Sequence, residues 1–219
     1  MKTIIRDFFS RPVFQSFFES ILNFSLKVLN IGEGQSVETS GEKSVFKILD
    51  KISTDNMSII FDVGAHTGEW FRLFKKFYTK KSMVYSFEPS IKSYLELSLL
   101  KEAGFHPENL ALGDRTEKKM LFSRVSGSST AYIGDIKNTK TQYSEEISII
   151  TLDKYCLEHN IKSIDLLKLD VEGYELKILN GSKNMIENDN IKLIQFEFGA
   201  PSEEKYTFKD FFDILGKKY

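Results

Sequence analysis

The stretch Ser58–Gly68, with the sequence SIIFDVGAHTG, decides the fold. It begins as a short continuous apolar run and ends in an acid and a glycine, which is typical of a buried parallel strand that enters a turn. The following residues 69–78, EWFRLFKKFY, have the pattern of a helix. The sequence therefore predicts a strand-turn-helix unit whose turn contains Asp62, Gly64 and Gly68.

The same alternation continues toward the carboxyl terminus. Further predicted strands are MVYSFEP (83–89), ENLALGD (108–114), IDLLKLDVEG (164–173) and IKLIQFEFG (191–199), and a helix over residues 91–104 is predicted to begin after Ser90 and to end at Gly104. This order predicts an α/β fold: a Rossmann-like, mostly parallel sheet with helices on both faces. Two strand patterns within residues 115–150, separated by a polar stretch, predict an inserted β-hairpin or flap over one edge.

The amino-terminal part of the chain has a different pattern. Residues 1–30 contain apolar and aromatic side chains at helical spacing, and residues 31–41, IGEGQSVETSG, are typical of a linker. We therefore predict residues 1–41 as an amphipathic helix and linker, and residues 42–219 as the main domain, which begins with a helix from Glu42 to about Ile52. We expect the amino-terminal helix to pack on its own domain; peripheral membrane contact or partner docking is the alternative.

Composition excludes several classes of protein. The 219 residues include 30 Lys and Arg against 31 Asp and Glu, so the formal charge of −1 argues against broad nucleic-acid binding. The single cysteine, Cys156, excludes a disulfide scaffold and a cysteine-rich zinc site. No apolar run is long enough to span a membrane, and no secretory signal is evident, so we expect a cytoplasmic protein. No histidine has metal-ligand spacing, and we predict no metal site; the oligomeric state stays open.

The turn after the first predicted strand indicates the kind of ligand. It lacks the G-x-G-x-x-G pattern of a dinucleotide site, and the carboxylate of Asp62 suits a ligand amino group better than a phosphate. Glu88, directly before Pro89, ends the second strand 20 residues after Gly68 (88 − 68), where an acid accepts hydrogen bonds from ribose hydroxyls. Together the two motifs favour an adenosine-bearing ligand, although a tight structural turn remains the alternative for the first motif alone.

Two further acids end later strands. Asp170 and Glu197 lie near the carboxyl ends of the fourth and fifth predicted strands, so we expect them to be neighbours at the carboxyl edge of the sheet. Such a pair can orient a hydroxyl group, hold a divalent cation or supply a general base, or it can simply bond loop amides. His66 is a competing base because imidazole titrates near neutral pH.

The chain resembles the FkbM-type methyltransferases, which are class I enzymes that use S-adenosylmethionine. The segments that carry the resemblance are IIFDVGAHTGEW, VYSFEPS, NLALGD, TLDKY, IDLLKLDVEGYELKILNG and LIQFEF, over about residues 58–200. His66 stands where this family more often has Asn. The resemblance implies transfer of a methyl group to a hydroxyl group, commonly on a sugar, glycan or polyketide-type acceptor.

The resemblance also implies roles for residues of this chain. Asp62, Gly64, Ala65 and Gly68 would line the methionine side of S-adenosylmethionine, Glu88 would accept the ribose hydroxyls, and Ala111 and Leu112 would border the adenine. The residues predicted to bind the cofactor are Asp62, Gly64, Ala65, His66, Gly68, Glu88, Pro89, Ala111, Leu112 and Asp170. The residues predicted to act in catalysis are Asp170, Glu197 and His66.

Two alternatives follow from the same residues. A nicotinamide-dependent enzyme has a similar sheet, although the missing glycine pattern counts against it. A non-catalytic cofactor-binding or scaffold protein would use the amino-terminal helix as its working surface. A class I methyltransferase sheet normally ends in a strand pair after the helix that begins here near Phe208, and we expect that pair to be missing.

Overall fold

The protein was analysed as a computed structural model that describes residues 14–29, 42–53, 56–134, 142–198, 206–216 and 218–219. The chain forms two compact units, residues 1–48 and 49–219. In the first unit, α1 (Gln15–Leu29) confirms the predicted amino-terminal helix, and its Phe17 and Phe18 rings meet edge-on with centroids 5.3 Å apart. The predicted linker, residues 31–41, lies outside the described residues. The domain boundary after residue 41 and the packing of α1 on its own domain stay predictions.

The remaining helices and strands alternate along the chain. In chain order they are α2 (Glu42–Ile52), β1 (Ser58–Val63), α3 (Glu69–Phe77), β2 (Ser82–Phe87), α4 (Ile91–Leu97), β3 (Phe105–Glu108), β4 (Ala111–Leu112), β5 (Glu117–Ser123), β6 (Tyr132–Ile133), β7 (Tyr143–Ile150), α5 (Leu152–Glu158), β8 (Leu166–Leu169), α6 (Glu175–Asn180), α7 (Lys183–Glu187), β9 (Ile194–Phe196) and α8 (Phe208–Leu215). None of these helices combines the length and apolar content that crossing a bilayer requires.

The described strands form two sheets. The main sheet has the order β3-β2-β1-β8-β9, and every neighbouring pair in it is parallel. Its central strands are buried because the helices cover them: Phe61 and Leu167 have no exposed surface, and α3 buries Trp70, Phe71 and Phe74. The predicted Rossmann-like α/β fold is confirmed, and its crossover connections bring the carboxyl ends of the strands to one edge.

The second sheet contains the predicted insertion. Strands β5 and β7 pair antiparallel over Glu117–Ser123 and Tyr143–Ile149, and β6 continues the sheet beside β5. Strand β4 pairs parallel with β7, so this sheet has the order β4-β7-β5-β6. The inserted hairpin is therefore confirmed, and it is part of a larger sheet than the sequence predicts. In the described ranges, no strand follows α8.

Three local predictions are wrong. The third strand of the main sheet is Phe105–Glu108, whereas Ala111 and Leu112 form β4 in the second sheet. Pro107 conceals the true strand, because proline is depleted in strands. Helix α4 ends at Leu97 and not at Gly104, which has φ +78° in the turn before β3.

The third wrong prediction concerns the end of β8, which stops at Leu169. Asp170 therefore lies directly after the strand and begins the loop. Helix α6 ends at Asn180 and α7 begins at Lys183, so Gly181 lies in the break between the two helices. A Cβ at position 181 would lie 1.9 Å from the carbonyl oxygen of Gly113, which explains why the chain needs glycine there.

Candidate active site

Carboxylates from four parallel strands meet at the carboxyl edge of the main sheet. Val63 of β1 is in register with Phe87 of β2 and with Leu169 of β8, and Leu169 is in register with Phe196 of β9. The acids at the ends of these four strands, namely Asp62, Glu88, Asp170 and Glu197, therefore lie along one edge. This is the edge at which open α/β sheets bind their ligands.

The turn between β1 and α3 is fixed against two strand ends. The amides of Gly64 and Ala65 both donate to the carbonyl oxygen of Phe87 at 3.0 Å. Gly64 has φ +81°, and a Cβ there would lie 1.8 Å from the carbonyl oxygen of Asp170. Only glycine fits between the ends of β1 and β8, so this turn brings the predicted cofactor loop into backbone contact with Asp170.

Asp62 is fully buried near the end of β1. Its Oδ1 accepts a hydrogen bond of 3.0 Å from Lys168 Nζ, whereas Oδ2 has no hydrogen-bond partner. Burial raises the pKa of this carboxyl, and the neighbouring Lys168 opposes the rise. The Ser86 hydroxyl, opposite Asp62 on β2, also opposes the rise of the pKa but makes no well-formed hydrogen bond. Asp62 therefore presents an unsatisfied oxygen, which suits a cationic ligand group.

Lys168 is a residue of this site that the motif analysis does not assign. Its side chain is 5% exposed, and Nζ lies 3.0 Å from Asp62 Oδ1 and 3.2 Å from Asp170 Oδ2. Nζ also lies 5.6 Å from the centre of the Trp70 ring. A lone lysine within the apolar run LLKL is the sequence signal that could identify it, because an unpaired buried lysine is rare.

Glu88 is held rigidly directly after β2. Its Oε2 accepts a hydrogen bond from the His66 amide at 2.8 Å, and its Oε1 accepts one from the Ser90 amide at 2.9 Å. Burial raises the pKa of Glu88, and the two amides oppose the rise. Each carboxylate oxygen has a second lone pair, so the group can still accept a ligand hydroxyl.

Asn109 fixes the backbone on the same side of the site. Its Nδ2 donates to the carbonyl oxygens of Glu88 and Pro89 at 2.9 and 3.0 Å. The backbone at Glu88 and Pro89 is therefore held by Asn109, a residue to which the sequence assigns only a place in the predicted strand ENLALGD. Ala111 and Leu112 are buried in β4, beside Ile149 and Ile150 of β7, and their contact with adenine stays a prediction.

His66 contacts the inserted region. The residue has φ +47°, and its Nε2 lies 3.0 Å from the carbonyl oxygen of Gly127. Ser93 Oγ donates to the same oxygen at 3.4 Å, and Lys92 Nζ donates to the Ser126 carbonyl at 3.0 Å. The loop of residues 124–131, here called the inserted loop, is thus tied to the predicted cofactor turn. His66 as a base stays a prediction.

Asp170 and Glu197 are brought together, as the sequence predicts. The side chain of Asp170 is 47% exposed, and Glu197 is exposed directly after β9. Partial desolvation raises the pKa of Glu197, and repulsion from Asp170 and from Glu172 raises it further. A carboxylate with a raised pKa and access to solvent is better suited than an ordinary one to accept a proton from a bound hydroxyl group.

The described residues contain no group of three or more His, Cys, Asp or Glu side chains arranged to hold a metal ion. Asp62 and Asp170 share Lys168 between them, so the deepest part of the site contains one cation and two carboxylates. This arrangement can pair with a positively charged ligand on the β1–β2 side. On the β8–β9 side the carboxylates can orient a bound hydroxyl group and accept its proton.

The fold and the site define a Rossmann-like α/β protein with an acid-lined ligand edge. Residues 62–219 match the methyltransferase FkbM domain family. The chain belongs to this family, and the resemblance in the motifs is confirmed.

Individual relatives are distant. Hexuronic acid methyltransferase AglP of Haloferax volcanii is 23% identical over 176 residues, which are 75% of this chain and 66% of AglP. The 2-O-methyltransferase NoeI of Sinorhizobium fredii is 23% identical over 223 aligned residues, 89% of this chain and 86% of NoeI. The solved methyltransferase FkbM of Methylobacillus flagellatus has a TM-score of 0.44 and 19% identity, over 64% of this chain and 32% of that one. The chain thus spans just under two thirds of AglP and about a third of that solved chain.

Proposed function

We propose that this protein is an S-adenosylmethionine-dependent O-methyltransferase that acts on a hydroxyl group of a sugar, glycan or polyketide-type acceptor. The observation that supports it best is the buried carboxylate of Asp62, whose Oδ2 has no hydrogen-bond partner at the ligand edge of the sheet. A ligand ammonium group would satisfy this oxygen. S-adenosylmethionine carries such a group and, when bound, supplies an electrophilic methyl group.

The residues present fit this cofactor. Asp62 would pair with its ammonium group, and Glu88, one strand away, would accept its ribose hydroxyls through the lone pairs that the His66 and Ser90 amides leave open. The turn at Gly64 keeps these two acids in a fixed relation because it is hydrogen-bonded to the end of β2. Both carboxylates are thus fixed in place before the ligand arrives, which lowers the entropy lost on binding.

The acceptor would bind on the β8–β9 side. Asp170 is held from behind by Lys168 at 3.2 Å, so its carboxylate is suited to orient a hydroxyl group. The pKa of Glu197 is raised, chiefly by partial burial, so this carboxylate is suited to accept the proton of the hydroxyl group. Orientation of the hydroxyl group supplies a large part of the acceleration in such a transfer.

The relatives support an oxygen atom as the methyl acceptor. AglP is named for a hexuronic acid, which is a sugar acid, and NoeI is named as a 2-O-methyltransferase. Both matches are 23% identical, so they support the reaction class more strongly than any particular sugar. The cytoplasmic location, the absence of nucleic-acid partners and peripheral membrane contact through residues 1–30 stay predictions.

Calorimetric titration with S-adenosylhomocysteine, with NADH as the comparison ligand, tests the cofactor. We expect the first ligand to bind and the second not to bind, and we expect Glu88→Ala to lose the binding. Binding of NADH alone would favour a nicotinamide enzyme and contradict the proposal. Binding of S-adenosylhomocysteine without methyl transfer to any member of a panel of glycosides and polyketides would favour a non-catalytic role.

A further inference from the structure

Lys168 joins the two halves of the candidate site. Its ammonium group lies 3.0 Å from Asp62, on the predicted cofactor side, and 3.2 Å from Asp170, on the predicted acceptor side. The three groups sit on neighbouring strands, because Lys168 is in register with Asp62 across the β1–β8 pair. One buried cation therefore contacts both Asp62, which is proposed to bind the cofactor, and Asp170, which is proposed to orient the acceptor.

The charges of this triad do not cancel. Lys168 contributes one positive charge, while Asp62 and Asp170 contribute two negative charges, so the triad is net negative when all three groups are ionised. A buried pair of one lysine and one aspartate would already be neutral. The excess negative charge is not needed to stabilise the lysine, and it favours a positively charged ligand group beside the unpartnered Oδ2 of Asp62.

The environment keeps Lys168 protonated. Burial lowers the pKa of a lysine, but the charges of Asp62 and Asp170 and their hydrogen bonds outweigh it, so the pKa of Lys168 is raised. Lys168 is therefore unsuited to act as a base or a nucleophile at neutral pH. Its available role is that of a fixed cation.

We propose that Lys168 is a positioning residue that keeps Asp62 ionised for the ammonium group of the cofactor and holds Asp170 in place for the acceptor. This inference rests on the proposed function and adds a residue that links its two ends. It follows that removal of the lysine charge would affect cofactor binding through Asp62, although Lys168 itself would contact no ligand.

The dependence on pH follows from the groups that face Asp62. These are Lys168 from β8, Asp170 from the loop after β8 and the Ser86 hydroxyl from β2. Without Lys168, burial and Asp170 both raise the pKa of Asp62, and only Ser86 opposes them. Asp62 would then take up a proton at a higher pH than it does beside Lys168, and the protonated form cannot pair with a ligand ammonium group.

The decisive experiment is calorimetric titration with S-adenosylhomocysteine between about pH 6 and about pH 8.5. We expect Lys168→Gln to weaken binding by about tenfold or more at neutral pH, because protonated Asp62 loses its charged hydrogen bond to the ligand ammonium group. Affinity should return as the pH rises, because Asp62 then ionises again. The matched control is Lys192→Gln, which removes the cation beside Asp165 near the opposite end of β8. This control should bind as the unaltered protein does, with the same pH profile.

A second ligand tests the mechanism. An analogue of S-adenosylhomocysteine with hydrogen in place of the amino group cannot pair with Asp62, so its affinity should be nearly the same with Lys168 and with Gln at position 168. An equal loss for both ligands would show that Lys168 only supports the fold, and this result would overturn the inference.

Two further variants keep the test valid if Lys168→Gln unfolds. Lys168→Arg retains the positive charge and should retain binding that is flat with pH. The double variant Asp62→Asn, Lys168→Gln contains no unpaired buried charge from this pair and should bind weakly at every pH. If the double variant kept the pH dependence, Asp62 would not be its source. Failure of the unaltered protein to bind S-adenosylhomocysteine would instead contradict the proposed function.

Discussion

The main sheet has an aspartate–lysine pair near each end of its central strands, and the pairs differ in the contacts of the second carboxylate oxygen. Near the amino end of β8, Asp165 accepts a hydrogen bond of 2.7 Å from the Ile59 amide through Oδ2, and its Oδ1 lies 2.8 Å from Lys192 Nζ. Near the carboxyl end of β1, Asp62 uses Oδ1 to bind Lys168, while its Oδ2 has no partner.

This difference shows what distinguishes a ligand site from a structural ion pair. Both oxygens of Asp165 lie against a nitrogen of the fold: Oδ2 accepts a hydrogen bond from the Ile59 amide, and Oδ1 forms an ion pair with Lys192 that lacks hydrogen-bond geometry, whereas Asp62 Oδ2 has neither kind of contact. Burial raises the pKa of Asp62, so its ionised form is less favourable in the folded chain than in the unfolded chain, and its contribution to stability falls as the pH rises through the range between its ordinary and its raised pKa. A charge that lowers stability is typical of a functional position.

The largest effect is expected when the two aspartates are neutralised separately. Asp62→Asn should lower affinity for S-adenosylhomocysteine by about a hundredfold, because it removes a charged hydrogen bond to the ligand. Asp165→Asn should leave the affinity unchanged. Calorimetric titration measures both. Equal affinities for the two variants would show that Asp62 binds the ligand no more directly than Asp165 does, and would contradict its role as a ligand site.

The same pair of variants should have the opposite order in stability. Asp165→Asn removes a carboxylate that accepts a hydrogen bond from the Ile59 amide and pairs with Lys192, so it should lower Tm. Asp62→Asn leaves Lys168 paired with Asp170 and removes an unfavourable charge, so its Tm should fall less. Thermal unfolding without ligand measures this order, and a larger fall for Asp62→Asn would show that its charge stabilises the empty protein.

The next largest effect is expected at Glu88. Glu88→Gln removes the charge and replaces one carboxylate oxygen with an NH₂ group, which cannot accept a hydrogen bond from the His66 or Ser90 amide. Affinity for S-adenosylhomocysteine should therefore fall by about thirtyfold. The control is Glu108→Gln, at the end of the neighbouring strand β3, where the carboxylate accepts a hydrogen bond from the Tyr155 hydroxyl at 2.8 Å. A similar loss in the control would mean that any acid on this edge affects binding.

A smaller effect, on turnover, is expected on the acceptor side. Glu197→Gln should lower kcat by about tenfold and leave affinity for S-adenosylhomocysteine unchanged, because the carboxylate would act only as a proton acceptor. Asp170→Asn should lower both quantities, since Asp170 also contacts Lys168. Steady-state methyl transfer to a glycoside acceptor measures kcat. A loss of affinity in Glu197→Gln would place this residue on the cofactor side.

The smallest effect is expected for His66→Asn. Asparagine tolerates the positive φ of this position better than histidine does, but it loses the contact with Gly127. We expect affinity for S-adenosylhomocysteine to change by about threefold or less and the inserted loop to be cleaved faster by a protease. Ser93→Ala removes a weaker contact to the same carbonyl and serves as the control. A fall in kcat as large as that of Glu197→Gln would indicate a catalytic base.

Much of this site follows from the sequence because parallel strands end at the same edge. The motifs place Asp62, Glu88, Asp170 and Glu197 there without knowledge of any side-chain contact. Lys168 could not be assigned in the same way, because its role depends on strand β8 lying directly beside β1. Strand order is a long-range property that no local pattern contains.

Most of the remaining misses also come from contacts between residues that are distant in the sequence. The contact between His66 and Gly127 joins residues 61 positions apart, so periodicity cannot predict it. The assignment of Ala111 and Leu112 to the main sheet failed because their apolar pattern fits either sheet, and pairing with Ile149 and Ile150 places them in the second. The third strand was missed because of Pro107.

That proline also affects how the protein behaves toward other chains. Strand β3 is an edge of the main sheet, and the amides of Val84 on β2 and of Glu88 directly after it donate to the carbonyl oxygens of Gly104 and Glu108. The alternate position, Pro107, turns its backbone nitrogen to the outer side, where proline has no hydrogen to donate. A foreign strand therefore finds an interrupted row of donors, and this edge resists the strand pairing that begins aggregation at high concentration.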